Sequence, residues 1–360
     1  MNQQTQRRYS SQKEIVGETK LLGKRGRLAV SGWSRSPVFN YNRLDVPSLR
    51  RAMRLKEWDY YLFGDDRYQI ALTIADNGYM GLISASFIDL EKGFDITKSK
   101  MAAFPMGSFD MPFSSDNGDI VYRSKKVSLN FIKGNKTRKV SMRWINFDDS
   151  KELYADVTFV QNDEDSMAIA VPFEGKAAKA GKFYYNHKIN CMPVFGKVKL
   201  GAEEFNFSEN TTFGCLDWGR GVWPYDNNWV WCSASGLYKG ERFGFNLGTG
   251  FGDRAQCGEN IFYYKGKGYK VGELQIDVPK GNYKQGEWTF RGEDGLIDLR
   301  MIPSYERLAD ISVLGLLKSE QHQVFGKYYG TVVLIEDDGS ETTVTLDGLT
   351  GFSEDVINKW

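Results

Sequence analysis

From Trp58 onward, apolar and polar residues alternate in short runs, and most runs close on Gly, Asp or Asn. A period of two bounded by turn residues predicts antiparallel strands, because successive side chains of a strand point to opposite faces. In the first half the runs are 60–63, 68–75 and 79–87, separated by Gly64-Asp65-Asp66 and Asp76-Asn77-Gly78. Both separators are good hairpin formers. Runs at 120–132, 137–145 and 153–159, with Lys133-Gly134-Asn135 as a further turn, continue the meander. Helical periodicity is nearly absent, and the even strand spacing predicts a barrel or sandwich rather than a parallel α/β sheet.

The small, charged stretch 174–182 (EGKAAKAGK) interrupts the pattern and reads as a surface connection near a domain boundary. Strand-like runs resume at 196–200, 203–207, 229–234, 242–247, 260–264 and 288–291. A last hairpin, 326–335 with 342–346, precedes a tail at 353–360 that is expected as a short helix. A chain of 360 residues is long enough for two domains. The expected division is 1–190 and 191–360, each an antiparallel β-barrel. Closing a sheet into a barrel removes its unpaired edges and leaves room for side chains or one small ligand. No short repeat of fixed period is visible, which disfavours a propeller or solenoid.

Charge narrows the partners: 47 Lys+Arg against 46 Asp+Glu leave a net charge of +1, with no global field to draw in nucleic acid or an anionic membrane. No run approaches the ~20 apolar residues of a membrane span. The first 24 residues carry no apolar core of an export signal, so the expected location is the cytoplasm. Cys191, Cys215, Cys232 and Cys257 lack paired spacing and are expected as reduced packing groups. With His187 and His322 the only histidines, ligand supply argues against a catalytic metal. The Gly-rich run 244–253 is neither a Walker loop nor a G-x-G-x-x-G turn. No cofactor is expected.

Candidate chemistry concentrates in 217–225, DWGRGVWPY, and in 229–235, WVWCSAS. Gly219 and Gly221 allow a sharp turn or the close approach of another group, and Asp217 and Arg220 place a carboxylate and a guanidinium three residues apart. Trp229, Trp231 and Ser233 share one face of a strand, with Val230, Cys232 and Ala234 on the other. In one reading Asp217 and Arg220 pair to fix a turn and the tryptophans fill a core. In the other they face a cavity, with Asp217 and Arg220 as a polar floor and Trp218, Trp223, Tyr225, Trp229, Trp231 and Ser233 as ligand-contacting walls. Glu259 and Asn260, just after the Gly-rich run, either offer polar contacts to that cavity or cap a strand end. His187 is either a further catalytic group or a hydrogen-bonded structural one. Aromatic residues at 14%, with 9 Trp, suit both uses.

DWGRGVWPY, WVWCSASG, GFNLGTGFGD with ENIFYYKGK, and QVFGKYYGTVVL with GFSED resemble a domain-of-unknown-function family. The likeness spans nearly the whole chain, including SGWSRSPVFNYN, LKEWDYYLF and ADNGYMG. More distantly, the Asp-Trp-Gly element and the Trp-x-Trp strand are similar to the hydroxyneurosporene synthase and tocopherol cyclase group. That resemblance implies an all-β fold of two lipocalin-like antiparallel β-barrels in tandem. It also implies a hydrophobic or amphipathic, lipid- or isoprenoid-like ligand, with proton-assisted hydration, isomerisation or cyclisation. Asp217 carries over as a proton source, whereas related hydratase-like members tend to carry histidine in or beside this turn and here Arg220 follows. Non-catalytic lipid carriage and a structural interaction module are the competing expectations.

Overall fold

The computed structural model describes residues 10–293, 295–313 and 317–359. They form two compact units: a first unit, Ile15–Pro224, and a second built from Tyr225 onward together with the start of the chain through Glu14. The initial segment is fixed within the second unit through Gln12, whose side chain donates to the Arg254 carbonyl and accepts from the Gly258 amide.

The first unit opens with the short strands β1 (Thr19–Lys20), β2 (Gly32–Ser34) and β3 (Phe39–Asn40) and the helix α1 (Ser48–Arg54). Four strands then meander: β4 (Leu55–Gly64), β5 (Tyr68–Asp76), β6 (Met80–Asp89) and β7 (Phe94–Ala103). A second meander follows in β8 (Ile120–Arg123), β9 (Val127–Gly134), β10 (Thr137–Asp148) and β11 (Lys151–Val160). After β12 (Met167–Pro172) and the helical turn α2 (Gly175–Lys179) come β13 (Phe183–Leu200), β14 (Glu203–Phe207) and β15 (Phe213–Val222). The sheet runs β7-β6-β5-β4-β15-β13-β11-β10-β9-β8, so β15 and β13 join the two meanders at its centre. β10 follows the expected alternation, with Val140, Met142 and Trp144 inside and Lys139 and Arg143 outside. β15 does not: all ten of its residues are buried, so both of its faces are covered.

The second unit contains β16 (Asp226–Tyr238), β17 (Glu241–Thr249), β18 (Ile261–Tyr264), β19 (Lys267–Lys270), β20 (Leu274–Asp277), β21 (Trp288–Gly292), β22 (Ile297–Val313), β23 (Leu317–Ile335) and β24 (Glu341–Lys359). Its order, β19-β18-β17-β16-β24-β23-β22-β21-β20, returns the last strand to the first. Each unit has its own apolar core, and the molecule is an all-β pair of curled, lipocalin-like antiparallel sheets in tandem. No helix among the described residues is long and apolar enough to cross a membrane.

Three expectations change. A boundary at residue 190 falls inside β13, which runs unbroken to Leu200 because a bulge between Ile189 and Met192, with Cys191 at φ 58°, lets one strand serve different partners along its length. The units divide between Pro224 and Tyr225. The tail expected as a helix continues β24 as strand, because residues 353–359 pair with both β16 and β23. The DWGRG run is no turn either: it is the middle of β15, with β4 and β13 on its two sides.

Candidate functional site

Strand parity decides which side chains of the first unit meet. Trp218 and Arg220 point to the core side of β15, where β4 presents Glu57, Asp59 and Tyr61 and β13 presents Tyr185 and His187. Asp217, Gly219 and Gly221 point to the other side, with Lys56, Trp58, Tyr184, Asn186 and Lys188. Asp217 and Arg220, expected to share one polar floor, therefore lie on opposite faces. A separation of three residues brings side chains together in a turn and parts them in a strand.

On the inner side Arg220 is fully buried. Its Nη1 donates to Asp59 Oδ1 at 3.1 Å and to the Trp58 and Gly219 carbonyls at 2.8 Å each. Nη2 donates to the Pro112 carbonyl at 3.0 Å, and Nε lies 3.4 Å from Glu57. The guanidinium stacks 3.8 Å from the centre of the Trp218 ring. Glu57 also accepts from the Tyr41 hydroxyl at 3.0 Å and pairs with Arg43. Burial pushes both carboxyls above the usual carboxylate range, against the pull of Arg220. His187 is enclosed between two serines, with Nδ1 2.7 Å from Ser115 Oγ and Nε2 2.7 Å from Ser166 Oγ. The Ser166 hydroxyl gives its one hydrogen to the Arg35 carbonyl, so it accepts from Nε2–H and leaves Nδ1 to accept from Ser115. Burial brings the imidazole down to about 4. The inner side is thus a closed polar network, with Trp218 packed against Tyr41 and Tyr185.

The outer side is different in kind. The Trp58 indole stacks on Tyr184, centroids 6.1 Å apart at 8°, and meets Trp223 edge-on at 5.0 Å. Gly219 and Gly221 make this possible. A Cβ on Gly219 would lie 1.9 Å from the Trp58 ring, and one on Gly221 would lie 2.6 Å from Trp223 Nε1. Of the two roles foreseen for these glycines, close approach is the one realised. Asp217 accepts from Trp58 Nε1 at 3.1 Å and from Asn186 Nδ2 at 2.5 Å, and pairs with Lys188 at 3.1 Å. Beside this cluster the buried Lys56 Nζ lies 5.5 Å from the Tyr79 ring and 5.7 Å from the Trp223 ring. Burial, with the Arg54 charge adding to it, lowers its ammonium to about 7. A near-neutral amine, a held carboxylate and three aromatic rings can seat an apolar body and exchange a proton with it.

The remaining expected residues belong to the second unit. Tyr225 is exposed at its start. Trp229, Trp231 and Ser233 do share one face of β16, but it is the face opposite the core that holds Cys232 and Ala234. There Trp229 donates to Glu354 at 3.2 Å and Trp231 to Asn246 at 2.6 Å, while Gln321 and Gln323 also donate to Glu354. Asn260 bridges the Gly248 amide and the Gly272 carbonyl, a strand-end role, and Glu259 accepts from Asn246 through its backbone carbonyl. All four cysteines are buried thiols. Among the described residues no cluster of three or more His, Cys, Asp or Glu is placed to hold a metal.

Lys56, Asn186 and Lys188 went unforeseen as site residues. The one available signal was a lysine at an even position in 55–64, a run otherwise aromatic and apolar on that parity.

The model of one family, described as Domain of unknown function (DUF2804), matches residues 12–360. No curated protein matches the chain. Among solved structures, kievitone hydratase from Nectria haematococca is similar over 95% of this chain and 98% of its own, at 12% identity and a TM-score of 0.49. CghA, solved with Sch210972, is similar over 94% of this chain and 97% of its own, at 8% identity and a TM-score of 0.46.

Proposed function

The chain belongs to the DUF2804 family, and we propose that it binds a hydrophobic or amphipathic small molecule on the outer face of its first unit, against Trp58, Tyr184 and Trp223. One observation carries this reading: three aromatic rings converge over two glycines that leave them room, next to a buried amine that titrates near neutrality. A sheet face that only packed would have no use for Lys56, since burying an ammonium costs stability. In this role Lys56 donates or accepts the proton that assists hydration, isomerisation or cyclisation of the bound molecule. Asp217, with Lys188 and Asn186, holds the Trp58 indole in place. Arg220 and His187 act from beneath, fixing β15 and β13 rather than touching the ligand. Carriage without conversion is the second reading, favoured by the three donors that already engage Asp217, the expected proton source. The balanced charge and the buried thiols support a location in a reducing cytoplasm, with no nucleic-acid partner.

Isothermal titration with 1-decanol tests the site. Saturable binding at one molecule per chain with a negative heat-capacity change is expected, weakened about tenfold in Trp58→Ala and in Trp223→Ala. Uptake that never saturates, or that both variants leave unaltered, would refute it.

A further inference from the structure

We propose that Lys56 is a nucleophilic amine that captures an aldehyde or ketone group of the amphipathic ligand as an imine. The inference rests on the site proposed above and specifies the chemistry of its ligand. Three observations lead to it.

Lys56 sits on the same face of β4 as Trp58, two residues away, and opposite Gly221 of β15. Where a side chain at 221 would stand, the Trp223 indole closes in instead, so the amine lies between the rings of Trp223 and Tyr79. Aromatic walls of this kind keep bulk water away from a condensation that must expel water. Trp58 is only half-buried, and in this proposal the alkyl chain enters past its exposed edge.

The charge that adds to burial in lowering Lys56 is that of another cation, Arg54. With burial it brings the amine to about 7, so that roughly half is neutral at pH 7, against fewer than about one in a thousand for an ordinary lysine. A desolvated lysine beside a second cation is a recognised way to make this nucleophile.

The second carbonyl-reactive candidate, Lys270 in the second unit, is also buried and lowered to about 8. Its Nζ donates to the carbonyls of Asn260 and Val271, each at 3.0 Å, and Lys270 serves as an internal control for a buried, lowered amine outside the aromatic cluster.

The step balances without an outside reagent. The neutral amine adds to the carbonyl carbon, and the carbonyl oxygen takes a proton to give a carbinolamine. That hydroxyl takes a second proton, supplied by solvent, and leaves as water to give the iminium, and hydrolysis reverses the sequence.

The full-length protein is incubated with decanal and sodium cyanoborohydride, followed by intact-mass and peptide mass spectrometry. The expected product is a single adduct whose added mass is that of decanal less its oxygen atom, located on Lys56. Its rate should rise with pH and reach half its maximum near pH 7, and Lys56→Arg should abolish it while keeping the native circular dichroism spectrum. Should Lys56→Arg fail to fold, competition decides: 1-decanol, which has no carbonyl, must slow labelling of Lys56 and leave exposed lysines unaffected. Labelling spread over exposed lysines with none on Lys56, or a half-maximum above pH 9, overturns the imine. If 1-decanol binds and decanal still leaves Lys56 unmodified, the imine alone is wrong; if neither binds, the site itself is.

Discussion

Arg220 answers to two carboxylates, three main-chain carbonyls and one indole, all within a fully buried volume. Removing it would strand Glu57 and Asp59, whose charged forms burial already disfavours. Arg220→Ala is therefore expected to lower unfolding stability by about 3–5 kcal/mol, read by urea denaturation. Arg220→Met combined with Glu57→Gln and Asp59→Asn should recover most of the loss. A single variant as stable as the native chain would mean that the pairs contribute nothing. Asp217 and Arg220 were recognisable in the sequence as unusual, but their joint use was not. Spacing alone cannot say whether 217–221 turns or runs straight, and that choice puts the two charges together or on opposite faces. Lys56, Asn186 and Lys188 were illegible as a group for a related reason. Lys56 lies on β4 and Asn186 and Lys188 on β13, far apart in the chain, and only the β4-β15-β13 register aligns them.

The connection between β7 and β8, residues 104–119, lies against the core side of the first unit through polar pins. Pro112 accepts from Arg220, Asp116 from Arg138 and Ser115 is bound to His187, while Arg43 lies over the Phe113 ring and pairs with Asp110. The charges acting on His187 are Asp116, which favours its cation, and Arg138, which opposes it; burial outweighs both. With a folded value of about 4 against 6.5 when unfolded, the unfolded chain binds the extra proton between these limits. Stability from this group is complete above pH 6.5 and drains away as pH falls toward 4. Limited proteolysis by an acid-active protease should therefore cut within 104–119 faster as pH drops through this window, and His187→Gln should flatten the dependence. Cleavage there that is indifferent to pH in the native chain would contradict the pinning role. Elements of regular alternation, such as β9, β10 and β11, could be read directly from the sequence. β13 could not, because its bulge lets one strand pair with β12 and β15 over its first part and with β11 and β14 over its last.

Two cores, each with its own antiparallel sheet, define the two units. Length and strand spacing are enough to dictate that much, because neither sheet can leave its edges or its apolar face in water. They do not dictate that each unit also places polar and aromatic groups together on the side away from its core: Trp58 with Asp217 in the first, Trp229 with Glu354 and Trp231 with Asn246 in the second. Core-facing aromatics explain the fold, and these others call for a use. Photolabelling with a diazirine-bearing decyl alcohol addresses that use most directly, since the reactive carbon marks whatever side chains surround it. Crosslinks should fall on peptides containing Lys56–Trp58, Tyr184 and Trp223, and excess 1-decanol should suppress them. Crosslinks scattered over the exposed surface, or confined to peptides that exclude all four residues, would contradict a ligand site on this face.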